Sequence, residues 1–324
     1  MNEFPRFVSK QIGKLISVQS LLKLNTPVFQ PFYHVVSNEK LPHILNYKYR
    51  NTEQFEKELD FYLKYFKPVS LAELVSYKKW DERIFHLSFD DGLKECAEII
   101  TPILLKKGVP ATFFVNPGFV DNQQLFHKYK ASLILNRLYE TSNQKVEHYL
   151  KEQNLQGKEI LKASILQVNI LDEAAAVLGI NFKDFLEKQK PYLTTEQIFE
   201  LKRQGFSIGA HSFNHPEFWK ITEEEQLVEV KKSMDWLVEK VNPEIRAFSF
   251  PFTDSGVSLK VLKSLKSDNI CDVTFGTAGI KYDQFGNHFQ RYPVEQPGDF
   301  RQNLKAELVY LALRKLIGKA TVKH

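Results

Sequence analysis

From residue 83 onward, short apolar runs alternate with segments of helical periodicity. Arg83–Phe89 and Ala111–Val115 are strand-like runs, and residues 93–107 between them predict a helix that ends at Gly108. The alternation resumes at residue 195, with helical segments between strand-like runs at 206–210, 247–250 and 273–275. Repeated βα units favour a parallel sheet or barrel covered by helices, so we expect an α/β fold.

The composition excludes several other classes of protein. With 43% hydrophobic residues and a net charge of +5 spread over 324 residues, the chain has neither a disordered composition nor a basic tract for nucleic acid. Cys96 and Cys271 lie in apolar segments and are too few for a disulfide framework. No run reaches the roughly 20 apolar residues that span a bilayer. We therefore expect no nucleic-acid partner and no transmembrane segment, and the sequence does not specify an oligomeric state.

Both ends of the sequence have amphipathic helical patterns with basic side chains. Ile12, Leu15 and Ile16 share one side of a predicted helix that also carries Lys10 and Lys14, and residues 308–324 are comparable. Packing on the same domain is the interpretation we favour, and contact with a membrane surface is the alternative. The first residues lack a long apolar run with a small-residue cleavage site, so we expect a cytoplasmic location.

The alternation stops between residues 121 and 193, where the sequence is polar, mainly helical and without a convincing strand. We interpret this segment as an insertion in a single domain, 1–324, which begins with an N-terminal extension of about 1–50. Loops that leave strand ends are the most variable parts of barrel and sheet enzymes. The insertion is therefore a candidate wall of a substrate cleft.

Two clusters of polar side chains follow predicted strands. Asp90 and Asp91 end the first strand, and because neighbouring side chains of a straight strand point to opposite faces, both can serve one site only if the chain turns at Gly92. His211 and His215 follow another strand, and a helical turn would place both imidazoles on one side. Each cluster alone is a weak signal, since Asp-Gly is common in turns and the chain has nine histidines.

The combination of the two clusters predicts a metal site. The carboxyl ends of parallel strands meet at one rim of a sheet or barrel, so the clusters are expected to lie together. Two neutral imidazoles and one carboxylate form a three-ligand set that leaves positions open for water and substrate. Such a set is typical of a catalytic metal rather than a structural one.

These residues resemble the motifs of the NodB-homology polysaccharide deacetylases of carbohydrate esterase family four. Ser88–Gly92 (SFDDG) is similar to the first motif, Thr-Phe-Asp-Asp-Gly, and His211–His215 (HSFNH) to the second, His-[Ser/Thr]-x-x-His. The similarity extends over about 83–295, interrupted by the insertion. Phe32–His34 and Pro68–Leu71 resemble the extracellular-polysaccharide deacetylase subgroup.

The resemblance implies a distorted (β/α) barrel and a metal-dependent hydrolase that removes acetyl from N-acetylated sugars of a poly- or oligosaccharide. It implies that Asp90 is the catalytic base and that Asp91, His211 and His215 are the metal ligands. Amide hydrolysis needs an activated water and a positive partner for the oxyanion, which a divalent cation supplies. We expect zinc, with cobalt, nickel or iron(II) as alternatives.

Two positions depart from the family pattern. The third motif, Arg-x-Pro-Tyr, falls at Ser249–Phe252, so serine replaces the arginine that steadies the catalytic Asp in the family. We hypothesise that Arg291 reaches Asp90 from a neighbouring strand, and an exposed arginine is the alternative. The histidine that protonates the leaving amine is not evident, and His288 and His34 are the candidates.

Three further residues are candidates for substrate contact. Pro251, Phe252 and Trp219 could provide apolar walls for an acetyl methyl group or a sugar face, although aromatic residues in a Phe-rich chain usually pack in the core. Two other functions stay open. One is a hydrolase of the same fold that acts on a non-sugar C–N bond, such as a cyclic amide, and the other is a carbohydrate-binding protein that has lost catalysis.

Overall fold

The computed structural model describes residues 4–76 and 82–324. Its strands are short, and half of those given below are fully buried because helices cover their outer faces. In chain order they are β1 (Pro31–Tyr33), β2 (Lys67–Pro68), β3 (Ile84–Phe85), β4 (Leu87–Phe89), β5 (Ala111–Val115), β6 (Ser207–Ala210), β7 (Ala247–Ser249), β8 (Val273–Gly276), β9 (Tyr282–Asp283), β10 (His288–Gln290), β11 (Tyr292–Pro293) and β12 (Thr321–Val322).

Within the described residues, eight strands form one parallel sheet in the order β10-β8-β7-β6-β5-β4-β1-β11. A single extended segment, 288–293, provides both ends of this order. β10 pairs with β8, whereas β11, directly after Arg291, pairs with β1. The sheet is therefore nearly closed, which confirms the predicted distorted (β/α) barrel.

Helices connect the strands and cover the barrel. They are α1 (Phe4–Leu15), α2 (Val18–Leu21), α3 (Thr52–Tyr65), α4 (Leu71–Ser76), α5 (Thr101–Lys107), α6 (His127–Glu140), α7 (Gln144–Glu152), α8 (Val168–Val177), α9 (Phe182–Gln189), α10 (Thr195–Arg203), α11 (Glu223–Lys240), α12 (Leu259–Ser267) and α13 (Phe300–Leu316). Short 3₁₀ turns lie at 120–122, 157–162, 165–167 and 218–220. Apolar side chains such as Leu59, Leu104, Leu237 and Leu304 pack with strand residues in one hydrophobic core.

Two predicted elements differ in detail from the structure. The run 83–89 forms two strands rather than one, and the two have different partners: β3 pairs with β2, whereas β4 pairs with β1 and β5. The helix expected over 93–107 begins with a π-helical turn at Cys96–Ile100 before α5, and Gly108 ends it with a φ of 65°.

The insertion contains α6 to α9, and their apolar side chains form a separate hydrophobic cluster that includes Ile134, Leu150 and Leu171. All of 121–193 is described, and this segment contributes no strand to the barrel. By contrast, β1 lies within the predicted N-terminal extension and yet belongs to the barrel, since its three residues are too short a run to be recognised as a strand. Residues 1–3 of that extension lie outside the described part of the chain, and the division into one domain with an insertion stays a prediction.

The helix at the N-terminal end packs against the helix near the C-terminal end. Arg6 donates to Glu307 at 3.0 Å, and a Cβ at Gly13 would lie 3.1 Å from the backbone nitrogen of Ala306, so α1 and α13 approach closely. Packing on the same domain, the interpretation favoured from the sequence, is what the structure contains. In the described residues no single helix has the length and apolar character needed to cross a bilayer. Two consecutive helical segments, 165–177 and 182–189, reach that length and composition only when taken together, and they are bent by 87° relative to each other.

Candidate active site

The first motif ends β4 in a turn that brings both carboxylates to one site. Asp91 and Gly92 have left-handed backbone conformations, with φ of 70° and 61°. A Cβ at Gly92 would lie 3.1 Å from the side chain of Val115, so both the conformation and the available space favour glycine there. Because the chain turns here, Asp90 and Asp91 are not separated as they would be in a straight strand.

The second motif forms a tight turn instead of a helical one. Ser212 and His215 have φ of 63° and 54°, and the N–H of His215 donates to Ser212 Oγ at 3.0 Å. Glu229 of α11 accepts the N–H groups of Phe213 and Asn214, each at 3.0 Å. The helical geometry considered from the spacing is wrong, because two left-handed residues and two side-chain caps bring the imidazoles together.

The two turns place three ligand atoms, one each from Asp91, His211 and His215, within 4.8 Å of one another. The Nε2 atom of His215 lies 3.2 Å from Asp91 Oδ1 and 3.2 Å from His211 Nε2. His211 Nε2 also lies 3.7 Å from Asp91 Oδ1 and 3.8 Å from Asp90 Oδ2. The four residues predicted as ligands and base therefore lie together, and each is at most 5% exposed.

The hydrogen bonds of this cluster fit a divalent cation. His211 Nδ1 donates to the carbonyl of Ser249 at 2.8 Å, which leaves the Nε2 lone pair facing the other ligands. Burial lowers the pKa of His211 to about 4, so its imidazole is neutral near pH 7. Burial would raise the pKa of Asp91, but His215 and other histidines hold it below its ordinary value. Asp91 Oδ1 is buried without a hydrogen-bond partner among the described residues, and a cation would satisfy it.

Arg291 binds Asp90 through both carboxylate oxygens. Its Nη1 and Nη2 atoms each donate to one Asp90 oxygen at 2.7 Å, and they also donate to the hydroxyls of Ser88 and Ser249. The guanidinium carbon lies 4.3 Å from the ring centroid of Phe32. Burial would raise the pKa of Asp90, but Arg291 lowers it below its ordinary value, so the carboxylate is ionised.

The position of Arg291 explains the serine in the third motif. Ser249 occupies the place of the family arginine and accepts a hydrogen bond from the guanidinium that arrives from the barrel-closing segment. The alternative of an exposed arginine is wrong, since Arg291 is 0% exposed. Its role in catalysis stays a prediction.

His34 lies at the same site and pairs with Glu295. Its Nδ1 lies 2.5 Å from Glu295 Oε2, and its ring stacks on Tyr47 with centroids 4.6 Å apart. Burial alone would lower the pKa of His34, but the Glu295 carboxylate raises it to about 9, so the imidazole is protonated near pH 7. His288, the other candidate for the general acid, is buried against Asp254 and Thr274 on a different part of the barrel from the Asp91, His211 and His215 cluster.

A cavity of about 720 Å³ opens over these side chains. Phe252 and Trp219, two of the predicted substrate contacts, line it, and Trp219 is 46% exposed. Pro251 does not line it: the residue is buried, and its carbonyl accepts the N–H of Thr253. The insertion contributes one wall, formed by Phe126, Lys128, Leu161 and Lys162.

Sequence reasoning did not identify one charged pair that lines the cavity, Glu217 and Lys128. Glu217 is 2% exposed and accepts hydrogen bonds or ion pairs from Lys128 at 3.2 Å, from the N–H of Ile165 at 3.2 Å and from His127 at 3.4 Å. Burial would raise the pKa of Glu217, but His127 and Lys128 lower it to about 2. Glu217 lies two residues after His215, and this closeness to the second motif could have identified it from the sequence. Lys128 could not have been identified in this way, because in the sequence it resembles any lysine of a polar helix.

The sequence profile described as polysaccharide deacetylase matches residues 77–270, more than half of the chain and both motifs. The chain belongs to the polysaccharide deacetylase family. The resemblance drawn from SFDDG and HSFNH is thereby confirmed, and family membership supports a deacetylase activity for this chain. A comparison with curated protein sequences gives no match.

Solved structures of deacetylases have a similar fold. This polysaccharide deacetylase is similar to the deacetylase PplD of Streptococcus pyogenes in complex with acetate, with 17% identity, a TM-score of 0.57 and coverage of 87% of this chain and 99% of that one. It is also similar to IcaB from Ammonifex degensii, with 15% identity, a TM-score of 0.57 and coverage of 87% and 98%. The de-N-acetylase from Aggregatibacter actinomycetemcomitans is similar too, with 13% identity, a TM-score of 0.52 and coverage of 86% of this chain and 99% of that one. At such identities these comparisons show the fold alone.

Proposed function

We propose that this polysaccharide deacetylase is a metal-dependent hydrolase that removes acetyl groups from N-acetylated sugars of a poly- or oligosaccharide. The observation that carries the proposal is the convergence of Asp91, His211 and His215 beside the ionised Asp90 at one cavity. Two imidazoles and one carboxylate favour zinc, and cobalt, nickel or iron(II) are also compatible with this donor set.

The four motif residues have two roles, metal binding and proton transfer. Asp91, His211 and His215 would hold the cation, which when bound supplies positive charge for the oxyanion and lowers the pKa of the attacking water. Asp90 accepts a proton from that water. Arg291 keeps Asp90 ionised and fixes the orientation of its carboxylate. Asp90 Oδ2 also accepts from the Ser249 hydroxyl at 3.5 Å, whereas Oδ1 retains a further lone pair for a proton.

We assign protonation of the leaving amine to His34. It lines the cavity, a quarter of its side chain is exposed (25%), and Glu295 keeps it protonated at neutral pH. A protonated imidazole can donate to the amine as the C–N bond breaks. Phe252 and Trp219 lie on the same cavity and are suited to contact the acetyl methyl group and a sugar face.

Acetate release from chitooligosaccharides and other N-acetylglucosamine glycans, with and without a chelator, tests the proposal. We expect release that the chelator abolishes and that added zinc restores. Asp90→Asn should keep the metal and lose most turnover, whereas His211→Ala should lose metal and turnover together. His148→Ala, which removes an exposed histidine (75% exposed) that does not line the cavity, is the matched control. A metal-loaded protein that releases no acetate from any such glycan would contradict the proposal.

The same assay addresses the two alternatives. The binding-only alternative arose from the missing motif arginine, and the contact of Arg291 with Asp90 supports the enzyme instead. Hydrolysis of cyclic amides but not of sugar amides would favour the other alternative. The cytoplasmic location expected from the sequence stays a prediction.

A further inference from the structure

A second group of side chains with metal-ligating atoms lies outside the catalytic cavity. It consists of Asp254, Asp283, His288 and His324, and one ligand atom from each lies within 4.8 Å of the others. His288 Nε2 lies 3.1 Å from Asp254 Oδ2, and His324 Nε2 lies 3.0 Å from Asp283 Oδ2. All four side chains are at most 4% exposed, so the ligand atoms have little contact with solvent.

Each of the four side chains is anchored on its outer side by the surrounding chain. The outer contacts are Asp254 Oδ1 with the N–H of Thr277, Asp283 Oδ1 with the N–H of Phe285, His288 Nδ1 with the hydroxyl of Thr274, and His324 Nδ1 with the carbonyl of Val257. The inner atoms, two Oδ2 and two Nε2, face one another, and the side-chain amide of Gln290 also donates to both Oδ2 atoms. Outer-shell hydrogen bonds that orient ligands in this way are a regular feature of metal sites.

The two carboxylates of the cluster favour a bound cation. Among the described residues, Asp254 and Asp283 form ion pairs only with the two histidines. Gln290 donates its amide N–H groups to both carboxylates, but a neutral amide does not balance two buried negative charges. A divalent cation would balance the two carboxylates.

We propose that Asp254, Asp283, His288 and His324 bind a second divalent cation, of the zinc class, through two carboxylate oxygens and two imidazole nitrogens. Four protein ligands form a closed tetrahedral set, which is typical of a structural site and differs from the open three-ligand set at Asp91. A cavity of about 400 Å³, lined by residues 253–258, Ala278 and residues 322–324, gives access to the cluster.

Such an ion would fix the segment that closes the barrel. His288 belongs to β10, directly before the junction at Arg291, and His324 follows β12, which pairs with β9. The cation would therefore connect the residues after β7, the segment of Arg291 and the chain near residue 324. This inference does not rest on the proposed hydrolysis, since none of the four ligands lines the catalytic cavity.

Zinc content of the purified full chain, measured after loading with zinc and removal of excess metal, tests the proposal. We expect two equivalents per chain in the unmodified protein and in His148→Ala. One equivalent is expected in His324→Ala, one in His211→Ala, and none in the double variant. A single equivalent that disappears in His211→Ala and persists in His324→Ala would overturn the proposal. So would two equivalents that both persist in His324→Ala.

Thermal unfolding gives a second readout that does not depend on activity. In the His211→Ala background, where the proposed catalytic metal is lost, added zinc should raise Tm with increasing zinc concentration. A further Asp283→Asn substitution, which keeps the side-chain size, should abolish that increase. No zinc-dependent rise in His211→Ala would overturn the second site and leave the proposed deacetylation intact, because that activity is measured with the unmodified protein.

Discussion

Arg291 and Asp90 are 201 positions apart and form two hydrogen bonds of 2.7 Å in the interior of the barrel. Arg291 lies at the junction of β10 and β11, where one segment joins the two ends of the sheet. Closure of the barrel and the position of the proposed catalytic base are therefore coupled. A chain that fails to close at this segment would also leave Asp90 without its partner.

Removing the guanidinium should destabilise the fold. We expect Arg291→Ala to lower the free energy of unfolding by about 3–5 kcal/mol, because Asp90 is left as an unpaired buried charge. It should also reduce kcat. Arg291→Lys should recover part of the stability but little of the turnover, since an ammonium cannot bind both oxygens in parallel. Urea unfolding and acetate release measure the two effects.

The control for this prediction is Arg203→Ala, which removes an arginine that is 58% exposed and paired with Glu196 and Glu200. That substitution should alter the free energy of unfolding by no more than about 0.5 kcal/mol. An Arg291→Ala protein as stable as this control would show that the buried pair contributes little.

The pair of His34 and Glu295 should make stability depend on pH above neutrality. The pKa of His34 rises from its ordinary 6.5 to about 9 in the folded chain. The pairing therefore contributes its full stability below pH 6.5 and loses it as the pH rises to about 9. The kcat should decline over the same alkaline pH range, because His34 loses its proton there. Glu295→Gln should reduce the change in the free energy of unfolding between pH 6.5 and about 9. It should also move the decline in kcat toward lower pH. Urea unfolding and kcat across this range check both expectations, and identical profiles in the two proteins would contradict them.

Glu217 should hold the insertion against the barrel. Glu217→Ala leaves Lys128 and the N–H of Ile165 without their carboxylate, at a cost of about 3–5 kcal/mol. Hydrogen exchange should rise over residues 127–165, and KM should increase because one cavity wall is loosened. Glu239→Ala, at a side chain that is 71% exposed, is the control. Unchanged exchange in that segment would show that other contacts dock the insertion.

Trp219 should act on substrate binding without affecting stability. Its ring is 46% exposed and packs edge-on against Phe252 with centroids 5.8 Å apart. Trp219→Ala should raise KM by roughly fivefold, corresponding to about 1 kcal/mol of lost contact with the sugar. The free energy of unfolding should change little. Tyr139→Ala removes an aromatic residue that is 64% exposed and outside the cavity, so it should leave KM unchanged. Equal KM values for the two variants would remove Trp219 from the binding surface.

Local patterns predicted much of the structure. The apolar runs at 111–115 and 273–275 correspond to β5 and β8, because a short buried run between turn residues has few alternatives in an α/β chain. The strand β1 was not predicted, because the three residues Pro31–Tyr33 are too few to show a periodicity. The turn at His211–His215 was misjudged because its left-handed residues depend on caps from Ser212 and Glu229 rather than on spacing.

The sequence by itself determined the family, the α/β class and the four motif residues, because these follow from short contiguous patterns. Only the tertiary structure decided that Arg291 is the partner of Asp90, that His34 and not His288 lies at the catalytic cavity, and that Pro251 lies away from it. The physical reason is that these contacts depend on how the barrel closes. Closure brings distant segments together through the pairing of whole strands, and no spacing within a single segment encodes it.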